Sequence, residues 1–237
     1  MHRTLEETNE LIDCGLGRIP CDYVLANLKL VNVCSREITE NGRIFVKGKR
    51  IVSIDPEAKL KAAEEIDCSG LYAMPGFIDC HMHFSSSMIN PEAMAQAIIP
   101  KGTTCLCADF MEIANVTGAP VVDVMLENAD KLPYRIVIEV PTRVPTAPGL
   151  ETTGNVISVE ETRELLRRPE TITLGEIAPA KVLHRTDESI QKICDALNLG
   201  KVVNGHAVGC TFDELSVYAS AGITDDHECV EWEEALN

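Results

Sequence analysis

From residue 73 onward, short apolar runs alternate with helical patterns. A chain with that rhythm can bury its runs only in a parallel sheet covered by helices. The apolar runs are Gly76-Phe77-Ile78-Asp79 and residues 103–108, 134–140, 171–175, 201–204 and 222–225, which gives about six expected strands. Between them, Val121, Met125, Leu126 and Ala129 mark one helix, Ile190, Cys194 and Leu197 a second, and Leu215, Tyr218 and Ala219 a third. Ser158 with Glu161, and Thr211 with Glu214, form capping-box patterns at helix starts. A doubly wound sheet and a (β/α)8 barrel both satisfy this pattern. No GxGxxG or Walker loop supports a nucleotide-binding open sheet.

The earlier part of the chain reads differently. Thr4 and Glu7 make a capping box and Gly15 a stop, so a helix is expected within residues 1–20. Residues 21–72 read as strands, with Lys47-Gly48-Lys49 as a hairpin turn between Arg43-Ile44-Phe45-Val46 and Arg50-Ile51-Val52-Ser53-Ile54. A small antiparallel, β-sandwich-like domain is expected there, followed by a partial barrel over residues 73–237.

Four of the six histidines follow expected strands directly. His81 and His83 close the first, His206 the fifth and His227 the sixth, while Glu176 follows the fourth. In a parallel barrel every strand C-terminus opens on one rim, where active sites lie. The two-residue period of a strand puts both imidazoles of an HxH pair on one side. A single histidine at a strand end is more often a satisfied polar residue, and Glu176 alone would be a solvated carboxylate. Their coincidence at successive strand ends favours ligation of Zn, Fe or Mn. His2 and His184 lie away from strand ends and read as surface residues, and the acidic pairs Glu6-Glu7, Glu64-Glu65 and Glu233-Glu234 as solvated faces.

Composition narrows the partners. The net charge of −16 repels phosphate backbones, and Arg167-Arg168 is no basic patch, so nucleic acid is not expected. No apolar run approaches the ~20 residues of a bilayer span, so no membrane partner is expected either. The ten cysteines include no CxxC, and Cys80, Cys105 and Cys107 fall in apolar runs. They read as buried reduced thiols, which favours a cytoplasmic setting, as does a polar, acidic start unlike a signal peptide. The HxE and PCxxC signature of the cysteine-ligated zinc deaminases is absent.

The run Pro75-Gly76-Phe77-Ile78-Asp79-Cys80-His81-Met82-His83 resembles the first-strand motif of the amidohydrolase superfamily. Further matches point within it to the adenine deaminase family: Ser86-Ser87-Met88, Gly102-Thr103-Thr104, Glu112-Ile113-Ala114-Asn115-Val116, Gly175-Glu176, Gly205-His206-Ala207 and His227-Glu228. This resemblance implies an α/β fold with a (β/α)8 TIM-type barrel and two divalent metal ions, Mn, Fe or Zn. It implies His81, His83, Glu176, His206 and His227 as ligands, with Glu176 in the bridging place that many relatives give to a carboxylated lysine. No lysine lies in the fourth expected strand, which counts against lysine-bridged hydrolases such as dihydroorotases.

The implied reaction is hydrolytic deamination of adenine, with hydroxide made available near neutral pH by two metals. Glu228 and Glu176 are the implied catalytic carboxylates. Ser86, Ser87 and Glu112 are implied to meet a small purine substrate. Ser85 and Phe110-Met111 depart from the family, which usually has Glu at the first place and Pro-His at the second. That leaves open another aminopurine or a cyclic amide as substrate.

The segment from Ala73 is shorter than the ~250 residues of a typical barrel. The superfamily's usual aspartate after an eighth strand has no counterpart. A C-terminally truncated member with impaired activity is therefore expected, or an inactive paralogue. Homo-oligomerisation is left open.

Overall fold

The computed structural model describes residues 3–236, so His2 lies outside the described residues. They divide into two compact units on either side of the Pro75–Gly76 bond.

The first unit opens with α1 (Leu5–Gly15), started by the reciprocal Thr4–Glu7 capping box. Its strands are β1 (Cys21–Asn32), β2 (Glu37–Lys47), β3 (Arg50–Ser53), β4 (Ala62–Asp67) and β5 (Tyr72–Ala73). The hairpin turn forms as expected, with Lys47 opposite Arg50. Gly48 adopts φ 55°, and its N–H donates to Asp22 Oδ2 at 2.7 Å. The expected antiparallel sandwich does not form. One mixed sheet, in the order β3-β2-β1-β4, has β4 and β5 both parallel to β1. The chain between β3 and β4 is long enough to cross to the far side of β1, so β4 arrives in the same direction as β1 rather than folding back as a hairpin.

The second unit alternates strand and helix. Its elements are β6 (Phe77–His83), α2 (Pro91–Ile98), β7 (Thr103–Asp109), α3 (Met111–Thr117), α4 (Val121–Leu126), β8 (Arg135–Val140), α5 (Val159–Leu166), β9 (Thr171–Ile177), α6 (Pro179–Leu183), α7 (Asp187–Asn198), β10 (Val202–Gly205) and α8 (Phe212–Ser220). The sheet order is β10-β9-β8-β7-β6, and every pairing is parallel. Each strand adds beside its predecessor without reversal, which is how a barrel winds. A doubly wound sheet reverses at its switch point.

Five strands form among the described residues rather than six. The expected sixth run, residues 222–225, has no strand ladder and meets β10 through the Thr224 N–H, which donates to the Val203 carbonyl at 3.2 Å. Side chains hold it instead. Gly205 N–H donates to Asp225 Oδ1 at 3.0 Å and Ala207 N–H to Asp226 Oδ1 at 2.7 Å.

Leu106, Ile138, Val140, Leu174 and Val203 from four strands form a core with Leu166, Ile193 and Ala196 from the helices. The inward face of α7 is Ile193 and Ala196; Cys194 and Leu197, expected inside, are exposed. One residue of helical phase separates the two readings. Cys107 is buried as expected and Cys105 only partly so, while Cys80 is exposed on β6, an edge strand with one neighbour.

Two glycines set how closely the strand ends approach. A Cβ on Gly175 would sit 2.7 Å from the Val140 carbonyl oxygen and 3.2 Å from Asp109 Oδ2. A Cβ on Gly205 would overlap the Asp225 carbonyl, which precedes His227 by two residues. Gly175→Ala and Gly205→Ala should each lower unfolding stability by about 1–3 kcal/mol through overpacking. Urea unfolding checks this, and unchanged midpoints would show that these approaches are not tight.

Candidate metal centre

The C-terminal ends of β6 to β10 are level with one another. His83 pairs in register with Asp109, Asp109 with Glu139, Val140 with Leu174, and Ile177 with Gly205. Side chains at these positions therefore share one rim, and the five expected ligands meet there. His81 Nε2, His83 Nε2, His206 Nδ1 and His227 Nε2 lie 3.2, 3.5, 3.4 and 2.7 Å from the same oxygen, Glu176 Oε1. The His81 and His227 rings stack with centroids 3.8 Å apart. Glu176 itself is only 1% exposed.

Two sets of groups are close enough to hold an ion, and they share one member. His81, His83 and Glu176 form the first, and Glu176, His206, His227 and Glu228 the second. Donors about 2.1 Å from a tetrahedral ion stand about 3.4 Å apart. The separations of His81, His83 and His206 from Glu176 match that spacing, whereas the 2.7 Å His227 contact is a hydrogen bond.

Charge points the same way. Asp109, Glu139 and Glu176 are all buried beneath the rim, and Arg143 is the cation paired with Glu176, through Oε2. Burial, then the charge of Glu139, push the Asp109 carboxyl up to about 7. His206 Nδ1 is buried without a hydrogen-bond partner. His83 Nδ1 also has none, although Glu112 Oε1 is 2.9 Å away, because the two are poorly aligned. An imidazole and carboxylate set with orphaned nitrogens and excess buried negative charge fits divalent cations.

The imidazoles differ in their surroundings. Burial pushes His81 down, but the hydrogen bond and charge of Glu139, with Asp109 and Asp79, outweigh it and leave it above the ordinary value. Burial, then Arg143, hold His206 below that value, and burial, then His81, do so for His227.

The remaining expected site residues are less uniform. Glu228 is exposed beside His227. Glu112 faces His83. Ser86 is exposed, and the Ser87 hydroxyl donates to the Phe84 carbonyl at 2.7 Å. His184 is exposed, as expected. Glu234 is not merely a solvated face, since it accepts backbone N–H groups from Gly209, Val230 and Glu231.

Several site neighbours were not singled out from the sequence. Glu139 and Asn204 carried a signal, each being a polar residue inside an apolar strand. Arg143 and Tyr218 carried none. The Tyr218 hydroxyl accepts the His206 N–H at 3.0 Å and donates to the Ile177 carbonyl, fixing the turn after β10.

A parallel βα sheet wound in barrel order, with metal-competent side chains on its C-terminal rim, defines a class of metal-dependent βα-barrel proteins. Residues 72–237 match the model of the amidohydrolase family, and the chain belongs to that family. It is 46% identical over 225 residues to an adenine deaminase of Desulforamulus reducens, covering 95% of this chain and 38% of that protein. To an adenine deaminase of Staphylothermus marinus it is 39% identical over 241 residues, covering 98% and 40%. The chain thus spans about two fifths of the length of these relatives.

Solved structures share the fold. A prolidase complexed with N-methylphosphonate-L-proline matches with TM-score 0.56 at 18% identity, over 85% of this chain and 59% of that one. A D-aminoacylase matches with TM-score 0.56 at 18% identity, over 84% and 48%. No described helix is long and apolar enough to cross a membrane.

Arg143 neutralises Glu176 where a cation would also do so. Arg143→Met should destabilise the metal-free chain by on the order of 3 kcal/mol by leaving a buried carboxylate unpaired. Zinc or manganese should restore much of that loss. Thermal melts with and without metal test this, and an equal loss in both conditions would contradict it.

Proposed function

We propose that this chain supplies a binuclear metal centre for the hydrolytic deamination of adenine to hypoxanthine and ammonia. The observation that carries this reading is the sharing of Glu176 between two ligand sets. His81 and His83 would hold one ion with Glu176, and His206 and His227 the other, with Mn, Fe or Zn all suited to such donors. When bound, two divalent ions supply Lewis acidity and make hydroxide available near neutral pH.

The chain's own residues then have distinct tasks. Glu176 bridges the sets from a buried position and is held by Arg143. Glu228, exposed at the rim beside His227, is placed to carry a proton toward the leaving amine. Ser86, Ser87 and Glu112 lie just after the ends of β6 and β7, where a purine entering the mouth would meet them. The adenine deaminase relatives support the substrate. The ten unpaired thiols suit a reducing, cytoplasmic setting.

Phe110 favours a second reading, in which another aminopurine or a cyclic amide is the substrate. It is fully buried in the core and offers no polar group to a ligand, and Ser85 gives only a buried hydroxyl without a partner. The purified chain, loaded with each metal, should contain about two ions and release ammonia from adenine slowly, with the impaired activity expected of a chain that spans about two fifths of its relatives' length. Glu176→Gln should lower the metal content and reduce ammonia release at least 100-fold. Ammonia from a different aminopurine alone, or ring opening of cyclic amides, would favour the second reading, and absence of bound metal would refute both.

A further inference from the structure

Cys14, in the last turn of α1, and Cys21, the first residue of β1, are both fully buried. With Val24 and Phe45 they form one buried cluster of the first unit. Their Sγ atoms lie 2.6 Å apart. A thiol is a weak donor and its sulfur a weak acceptor, so a hydrogen bond alone accounts poorly for so close an approach. A disulfide bond is about 2.05 Å long, so the sulfurs stand about half an ångström from bonding distance.

Backbone contacts anchor both residues. Between them, the Gly17 N–H donates to the Cys14 carbonyl and the Arg18 N–H to the Asp13 carbonyl, each at 2.9 Å. The Cys21 N–H donates to the Lys61 carbonyl at 2.8 Å, which fixes the start of β1 beside β4. The sulfurs meet because helix end and strand start are each held. Cys14 is also the one buried residue of α1. The Glu10–Lys47 ion pair at 3.3 Å is exposed at its Glu10 end, and such pairs contribute little. Cys14 is thus the main anchor of the helix on the sheet.

We propose that Cys14 and Cys21 are a redox-active dithiol whose oxidation by a small-molecule disulfide latches α1 covalently to β1. Two exchanges complete the step. The thiolate of one cysteine attacks the oxidant, forms a mixed disulfide and releases one small thiol. The thiolate of the second attacks the cysteine sulfur of that mixed disulfide and releases the other. The two cysteines lose two protons and two electrons, and the oxidant takes them up as two thiols.

Packing makes the latch slow in both directions. Burial, then the hydrogen bond to Cys21, pushes the Cys14 thiol up to about 12, and the thiolate is the nucleophile. Exchange therefore proceeds when the last turn of α1 lifts and hydrates the sulfurs. After closure the same packing shields the bond from reductant. The site belongs wholly to the first unit, so its outcome and that of the metal-centre reading are independent.

The test oxidises the folded 237-residue chain with glutathione disulfide, alkylates the remaining thiols and digests the product with trypsin. Arg18 lies between the two cysteines, so cleavage there frees residues 4–18 and 19–29 as separate peptides unless a disulfide joins them. Mass spectrometry should find these peptides linked, and dithiothreitol should separate them. Hydrogen exchange in the last turn of α1 should slow at least 10-fold in the oxidised chain. Cys21→Ala should show neither the linkage nor the slowing.

Recovery of the two peptides apart, alkylated or each carrying glutathione, would overturn the proposal. So would a linkage that forms only when the chain is oxidised after denaturation, since native packing would not be its cause. Linked peptides with unchanged exchange would refute the latching of α1. If Cys21→Ala does not fold, the peptide map and exchange of the parent still decide.

Discussion

One buried carboxylate oxygen facing four imidazoles is the constraint around which the second unit is built. Glu176 Oε1 cannot sit beneath the rim at 1% exposure without positive charge or hydrogen-bond donors around it. The chain supplies Arg143 on one oxygen and histidines from β6, from just after β10 and from the segment after α8 on the other. Such an arrangement costs desolvation energy that packing alone would not offset. Divalent cations resolve the imbalance most directly.

The strand geometry makes that meeting feasible. A parallel sheet in sequential order brings every strand end to the same side, and level registers keep those ends within side-chain reach. Gly175 lets β9 approach β8 closely, with the Val140 carbonyl, Asp109 and Glu139 packed against the position just before Glu176. Gly205 does the same for the segment bearing His227, which is pinned by Asp225 and Asp226 rather than by a ladder. The placement of the second candidate set therefore depends on side-chain clamps as much as on sheet hydrogen bonds.

Much of this was legible in the sequence, for physical reasons that can be named. HxH after an apolar run, Gly205-His206 and His227 declare themselves because strand ends combine apolar periodicity with an abrupt polar residue. Pairing partners are not written into local patterns, so the parallel placement of β4 beside β1 was missed. Edge exposure was missed for the same reason: Cys80, Phe77 and Ile78 read as buried, yet β6 has a neighbour on one side only. Residues 222–225 have the composition of a strand, but the Asp225 and Asp226 side chains, rather than backbone carbonyls, take the Gly205 and Ala207 N–H groups, so the segment is held beside β10 without a ladder. Glu139 was readable in principle, since a carboxylate inside Arg135–Val140 needs a buried partner to exist there.

Anomalous X-ray diffraction from crystals of the chain grown with zinc or manganese tests the shared carboxylate most directly. Two anomalous peaks are expected roughly 3.5–4 Å apart, both within bonding distance of Glu176, one beside His81 and His83 and the other beside His206 and His227. A lone ion that does not touch Glu176, or ions bound only away from these histidines, would contradict it.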